Sequence, residues 1–150
     1  MRTEIMNPSS RKFTVLAVDD SAIYRKLVEQ SLSRERYSVL FAKDGREALD
    51  LFAEHQPAVV ITDWDMPDVG GLELCRHIRR DFPGFHSHLI LLTGNTDKAQ
   101  VVEGLAAGAD DYLTKPFHSG ELVARSKWAA GSLNFIEKSK QRIAYWKSWH

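Results

Sequence analysis

The stretch AVVITD, residues 58–63, decides the fold. Five residues dominated by β-branched side chains, bounded by Pro57 and followed by a carboxylate at Asp63, read as a strand buried on both faces. Three more runs end in the same way. Phe13 to Val18 leads into Asp19 and Asp20, Leu89 to Leu92 into Thr93, and Asp111 to Thr114 into Lys115 and Pro116. In an open α/β sheet, ligands bind at the carboxyl ends of parallel strands. Three carboxylates, a hydroxyl and an ammonium are therefore expected along one edge.

Between these runs lie segments of helical period, and the alternation repeats five times, as in βαβ units around a parallel sheet. Ser21 is placed to cap a helix running to about Arg34, with Ile23, Leu27, Val28, Ser31 and Leu32 inward. Ser38 to Ala42 reads as a strand. Asp44 caps a helix with Ala48, Leu49, Leu51 and Phe52 inward, stopped before Gln56-Pro57 because a residue preceding proline avoids the α region. Trp64 to Gly70 is a loop, followed by a helix carrying Leu72, Leu74, Cys75 and Ile78, then a Pro/Gly loop over 81–87. Thr96 to Ala107 is a helix ended by Gly108. From Ser119 to about Lys147 there is no proline, which predicts one long helix or two meeting at Gly131. Leu122, Ala129, Ile136 and Ile143 recur every seven residues along it, and its second half carries Phe135, Tyr145, Trp146 and Trp149.

At 150 residues the chain is long enough for one core and a short appendage. Net charge is zero, so the total gives no argument for binding nucleic acid or a membrane surface. From His118 onward, however, six basic residues against Glu121 and Glu137 give +4, leaving −4 for the remainder. The single cysteine, Cys75, excludes an internal disulfide and fits a reducing cytoplasm. No apolar stretch approaches a membrane span, and the polar start lacks the apolar region of a signal peptide. The expected organisation is a flexible arm over 1–11, a domain over 12–130 and a helical extension or linker over 131–150.

Adjacent carboxylates at a strand end repel, and a divalent cation relieves them; oxygen-only ligation points to Mg²⁺ or Mn²⁺. Asp63 completes the acidic pocket. An aspartate beside such a cation can accept a phosphoryl group, with Lys115 neutralising its oxygens and Thr93 donating to one of them. One Asp at a strand-to-helix junction is often only a helix cap. Two together, a third after another strand, and the Thr and Lys at further strand ends make that bland reading improbable.

Val18-Asp19-Asp20-Ser21, Asp63-Trp64-Asp65-Met66-Pro67 with Gly71, Leu92-Thr93-Gly94 and Tyr112-Leu113-Thr114-Lys115-Pro116-Phe117 resemble the motifs of bacterial response regulator receiver domains of the chemotaxis-regulator type. The resemblance covers roughly Lys12 to Ala130. It implies a (βα)₅ flavodoxin-like doubly wound sheet in order 2-1-3-4-5. It implies Asp63 as phosphoacceptor from a histidine kinase or phosphotransfer protein, Asp20 as direct metal ligand and Asp19 acting through water. The backbone carbonyl of Asp65 would be a further ligand. Lys115 would pair with the acceptor and then the phosphoryl group, and the Lys115–Pro116 peptide would be cis. Thr93 and Tyr112 would form the switch, changing the partner affinity of the face made by the fourth helix, fifth strand and fifth helix. Asp65 and Asn95 would flank the path of a hydrolytic water and tune phosphoryl lifetime.

The tail resembles linkers that join receivers to diguanylate cyclase domains, so a downstream protein or a fused output domain is expected, without direct nucleic-acid or membrane contact. A homodimer through the tail's heptad stripe is a further expectation. Asp63-Trp64-Asp65 also resembles the nucleophile motif of haloacid-dehalogenase phosphatases, although Pro67 breaks that motif and the Asp pair comes first. A degenerate receiver is disfavoured, since no site residue is missing. His86 and His88 are read as loop residues, Cys75 as core, Trp64 as the site's rim or an exposed side chain, and Arg79-Arg80 as a solvated helix end.

Overall fold

The computed structural model describes residues 13–33, 37–94, 98–127 and 129. The strands are β1 (Phe13–Val18), β2 (Tyr37–Ala42), β3 (Val59–Asp63), β4 (His88–Thr93) and β5 (Asp111–Thr114). The helices are α1 (Ala22–Leu32), α2 (Gly45–His55), α3 (Gly71–Asp81) and α4 (Lys98–Ala106), followed by a helical segment α5 over 119–127. All strand pairs are parallel, in the order β2-β1-β3-β4-β5. This is the flavodoxin-like arrangement the sequence implied.

Side-chain alternation divides the core between the two faces of the sheet. On one face Leu16, Val18, Val60, Leu89 and Leu91 meet Ala48 and Phe52 of α2 and Leu74, Cys75 and Ile78 of α3. On the other, Val15, Ala17, Ile61, Ile90, Leu92 and Leu113 meet Val28 and Leu32 of α1 and Leu122 of α5. Ser21 and Asp44 cap α1 and α2 as expected, accepting from the N–H groups of Tyr24 and Glu47. Ladder hydrogen bonds continue past the strands, from Asp19 N–H to Ala42, Trp64 N–H to Leu92 and Lys115 N–H to Thr93, at 3.1, 2.9 and 2.8 Å. They hold the site residues at one carboxyl edge.

Ile23, His88 and Arg79 depart from the expectation, whereas His86 and Cys75 meet it. Ile23 points outward, 80% exposed, because the buried stripe of α1 runs through Tyr24, Leu27, Val28, Ser31 and Leu32, one position out of phase with it. α1 ends at Leu32. His88 is no loop residue: it opens β4 and is buried, and burial pushes its pKa down against the opposing pull of Asp110. His86 is exposed as expected. Arg79 is no solvated end. Its guanidinium donates to the Gly108 and Ser87 carbonyls and to Asp110 at 3.0, 2.8 and 2.7 Å, tying α3 to the strands beyond it, whereas Arg80 is exposed. Trp64 is half-buried against the core. Cys75 is buried, its thiol pushed up to about 12 by burial.

The first two positions of the heptad stripe, Leu122 and Ala129, are both fully buried within the domain. They serve its own core. The arm over 1–11, Asn95, Thr96 and the tail beyond 129, with its proposed extension and dimer seam, lie outside the described residues.

Candidate functional site

The ends of β1 and β3 bring Asp19, Asp20 and Asp63 together, each offering a carboxylate oxygen within 4.8 Å of the others. Neighbouring side chains at a strand end diverge, and here Asp19 is buried while Asp20 is exposed. Asp19 is fixed from three sides. Its Oδ1 accepts from Ser21 N–H at 2.9 Å, its carbonyl accepts from Arg25 at 2.6 Å, and its Oδ2 accepts from Lys115 Nζ at 2.8 Å.

Lys115 arrives from the end of β5 across a cis Lys115–Pro116 peptide. Its ammonium also lies 3.2 Å from Asp63 Oδ1 and 3.8 Å from the centre of the Tyr24 ring. Tyr24 is in turn braced by Phe117, with ring centroids 6.1 Å apart. Burial by itself lowers the Lys115 pKa, but the hydrogen bond and charge of Asp19, aided by Asp63, win and raise it. The Asp63 carboxyl is pushed above its ordinary value, first by burial, then by Asp19 and Asp20, with Lys115 opposing. One lysine thus only partly neutralises three carboxylates.

Asp63 is placed by close backbone packing. A Cβ at residue 71 would stand 2.2 Å from the Asp63 carbonyl oxygen, so only glycine lets α3 begin there. The Gly71 N–H closes the intervening loop by donating to the Trp64 carbonyl at 2.9 Å. Beside the acidic cluster a groove of about 510 Å³ is lined by Asp20, Trp64, Asp65, Met66, Pro67 and Arg76 among others, which opens the Asp20 side of the cluster to solvent.

Thr93 ends β4 and is buried. Tyr112 is 38% exposed. Both border a crevice between α4 and the sheet of only about 10 Å³, room for about one water and not for a phenol ring. Trp64 and Gly104 line the same crevice; a Cβ at residue 104 would come within 3.1 Å of the indole and 2.8 Å of Leu91, so α4 seats on Trp64 through a glycine. The side chain of Asp65 is exposed, and Asn95 lies outside the described residues. Tyr24 and Arg25 were missed from sequence. Tyr24 carried a signal, lying four residues before Val28 on the buried stripe; Arg25 carried none.

No helix among the described residues is long and apolar enough to cross a membrane. Residues 15–127 match the family model described as the response regulator receiver domain. Response regulator MprA of Mycolicibacterium vanbaalenii is 46% identical over 113 residues, which are 75% of this chain and 48% of that protein. The phosphate regulon transcriptional regulatory protein PhoB of Pseudomonas aeruginosa is 37% identical over 114 residues, 76% of this chain and 50% of the other. The chain thus spans about half the length of the curated relatives it matches. Among solved structures, the chemotaxis protein CheY4 of Vibrio cholerae superposes with a TM-score of 0.74 at 34% identity, covering 79% of this chain and 98% of that one. These matches leave the phosphatase alternative without support. The chain belongs to the response regulator receiver domains, phosphoacceptor signalling modules of two-component systems.

Proposed function

We propose that Asp63 is the residue phosphorylated, and that Lys115, Thr93 and the Asp19–Asp20 pair complete the reacting site. The observation that carries this reading is the under-neutralised cluster, three carboxylates within 4.8 Å sharing one ammonium that touches both Asp19 and Asp63. Such a donor set, all oxygen and with excess negative charge, fits Mg²⁺ or Mn²⁺. Asp20, Asp63 and the Asp65 carbonyl would hold the ion, with Asp19 acting through water. When bound, it supplies charge neutralisation to the transferring phosphoryl oxygens.

An Asp63 carboxylate oxygen attacks the phosphorus of a partner's phosphohistidine. The new P–O bond forms as the P–N bond breaks, and the imidazole leaves with the electron pair and takes up a proton. Lys115 pairs with the phosphoryl group once it is on Asp63, and the Thr93 hydroxyl donates to one of its oxygens. Autophosphorylation and autodephosphorylation at Asp63 follow from the same groups, with Asp65 and Asn95 flanking the attacking water and setting the lifetime. Because the crevice beneath it is closed, the Tyr112 ring turns inward only after Thr93 moves toward the phosphoryl group. That order makes Thr93 and Tyr112 the switch, and the face of α4, β5 and α5 the output.

The partners are a histidine kinase or phosphotransfer protein in the cytoplasm and, downstream, a protein or fused output module. Residues 12–130 hold 18 Asp and Glu against 14 Lys and Arg, which supports protein rather than nucleic-acid contact. Intact-mass measurement after incubation with acetyl phosphate and Mg²⁺ tests the assignment. One added phosphoryl group in the wild type, absent in Asp63→Asn and after chelation, is expected; an equal gain in the variant refutes Asp63 as acceptor.

A further inference from the structure

An ammonium carries three N–H donors. On Lys115 two of them face carboxylates, Asp19 Oδ2 at 2.8 Å and Asp63 Oδ1 at 3.2 Å. The face of the Tyr24 ring, its centre 3.8 Å from Nζ, lies within reach of the third. The lysine side chain is only 14% exposed, so this contact is made largely out of water, where the attraction between a cation and a π face is strongest.

Tyr24 is held to the reacting site from two directions. On the β1 side, Ser21 N–H donates to Asp19 Oδ1 at 2.9 Å, the Ser21 hydroxyl accepts from Tyr24 N–H, and Arg25 donates to the Asp19 carbonyl at 2.6 Å. The first turn of α1 is thereby tied to the aspartate that shares the lysine. On the β5 side, Phe117 stands just past Lys115 and Pro116 and packs its ring against that of Tyr24, with centroids 6.1 Å apart and planes tilted by 41°. Sequence neighbours of both Asp19 and Lys115 therefore fix the ring over Nζ.

We propose that Tyr24 is a positioning residue for phosphoryl transfer, its ring holding the Lys115 ammonium between Asp19 and Asp63; the proposal rests on the assignment of Asp63 as phosphoacceptor. A lysine needs such help, because its stem is flexible and its charge strongly hydrated. The π face attracts the cation through the ring quadrupole, without adding to the excess negative charge of the three carboxylates. It also presents no carboxylate to hold the ammonium back when phosphoryl oxygens arrive on Asp63. With an aliphatic side chain at residue 24, the ammonium turns toward water and meets the phosphoryl group less often.

Tyr24→Leu and Tyr24→Phe, each made in the full chain with Lys115 and with Lys115→Gln, test this. The first readout is the initial rate of phosphorylation by acetyl phosphate at saturating Mg²⁺, followed by intact mass. Tyr24→Leu is expected to react about tenfold more slowly than wild type, about 1.4 kcal/mol of transition-state stabilisation, and Tyr24→Phe, which keeps the ring, within about twofold of it. In the Lys115→Gln background the leucine should make no further difference, whereas a packing role would persist there. An unchanged rate in Tyr24→Leu, equal slowing by leucine and phenylalanine, or a leucine effect that survives Lys115→Gln would overturn the positioning role. The second readout, urea denaturation without metal, does not depend on phosphorylation. The fall in midpoint caused by Tyr24→Leu should shrink to about half or less in the Lys115→Gln background, and an equal fall in both would overturn the contact itself. Absence of labelling in the wild type, with that coupling present, would instead tell against Asp63 as the acceptor.

Discussion

Asp63→Asn should stabilise the protein in the absence of divalent cations. The substitution keeps the side chain's shape and leaves a carbonyl oxygen for Lys115, but removes one charge from a crowded site. At an effective dielectric of about 20, carboxylates up to 4.8 Å apart repel by about 3.5 kcal/mol per pair, and Lys115 at 3.2 Å attracts Asp63 by about 5 kcal/mol. Two repulsions against one attraction, discounted for the exposure of Asp20, leave roughly 1–2 kcal/mol of net repulsion on Asp63. For a domain of this size that corresponds to a Tm about 5 °C higher in the variant by calorimetry with EDTA present. The pH dependence has a definite sign. The Asp63 pKa is raised in the fold, so its contribution favours the native state at low pH and is lost as pH rises through that raised value. The gap between variant and wild type should therefore open above the ordinary carboxylate range and close below it. Mg²⁺ should raise the wild-type Tm and leave the variant nearly unmoved, since an ion at ten times its Kd contributes about 1.4 kcal/mol. A variant less stable than wild type in EDTA, or an equal Mg²⁺ response in both, would refute the electrostatic account.

Lys115→Met leaves Asp19 and Asp63 facing each other without their shared cation, and should cost about 2–4 kcal/mol in urea denaturation without metal, with part restored by Mg²⁺. Gly71→Ala places a methyl group 2.2 Å from the Asp63 carbonyl, which is backbone and cannot give way; a loss of about 3 kcal/mol and weakened metal affinity are expected from chemical denaturation and magnesium titration. Arg79→Lys keeps the charge but not the three-way fork to Gly108, Ser87 and Asp110, and should lower the urea midpoint by the equivalent of about 2 kcal/mol, where a solvated helix end would show no change.

What the sequence determined was the frame and the reacting groups. Short apolar runs between helical segments specify a parallel sheet, and parallel strands all end at the same edge, so Asp19, Asp20, Asp63, Thr93 and Lys115 could be gathered from their place in the chain alone. Ser21 and Asp44 were legible as caps because a cap is satisfied within a few residues. What only the tertiary structure decided depends on segments far apart in sequence. Tyr24 meets Lys115, Arg79 meets Gly108, Trp64 meets Gly104 and His88 is drawn into β4, none of which a local pattern specifies. Ile23 shows the same limit within a single helix. Its hydrophobicity marked it for the interior, but the interior begins where the sheet lies, and α1 turns that position toward water.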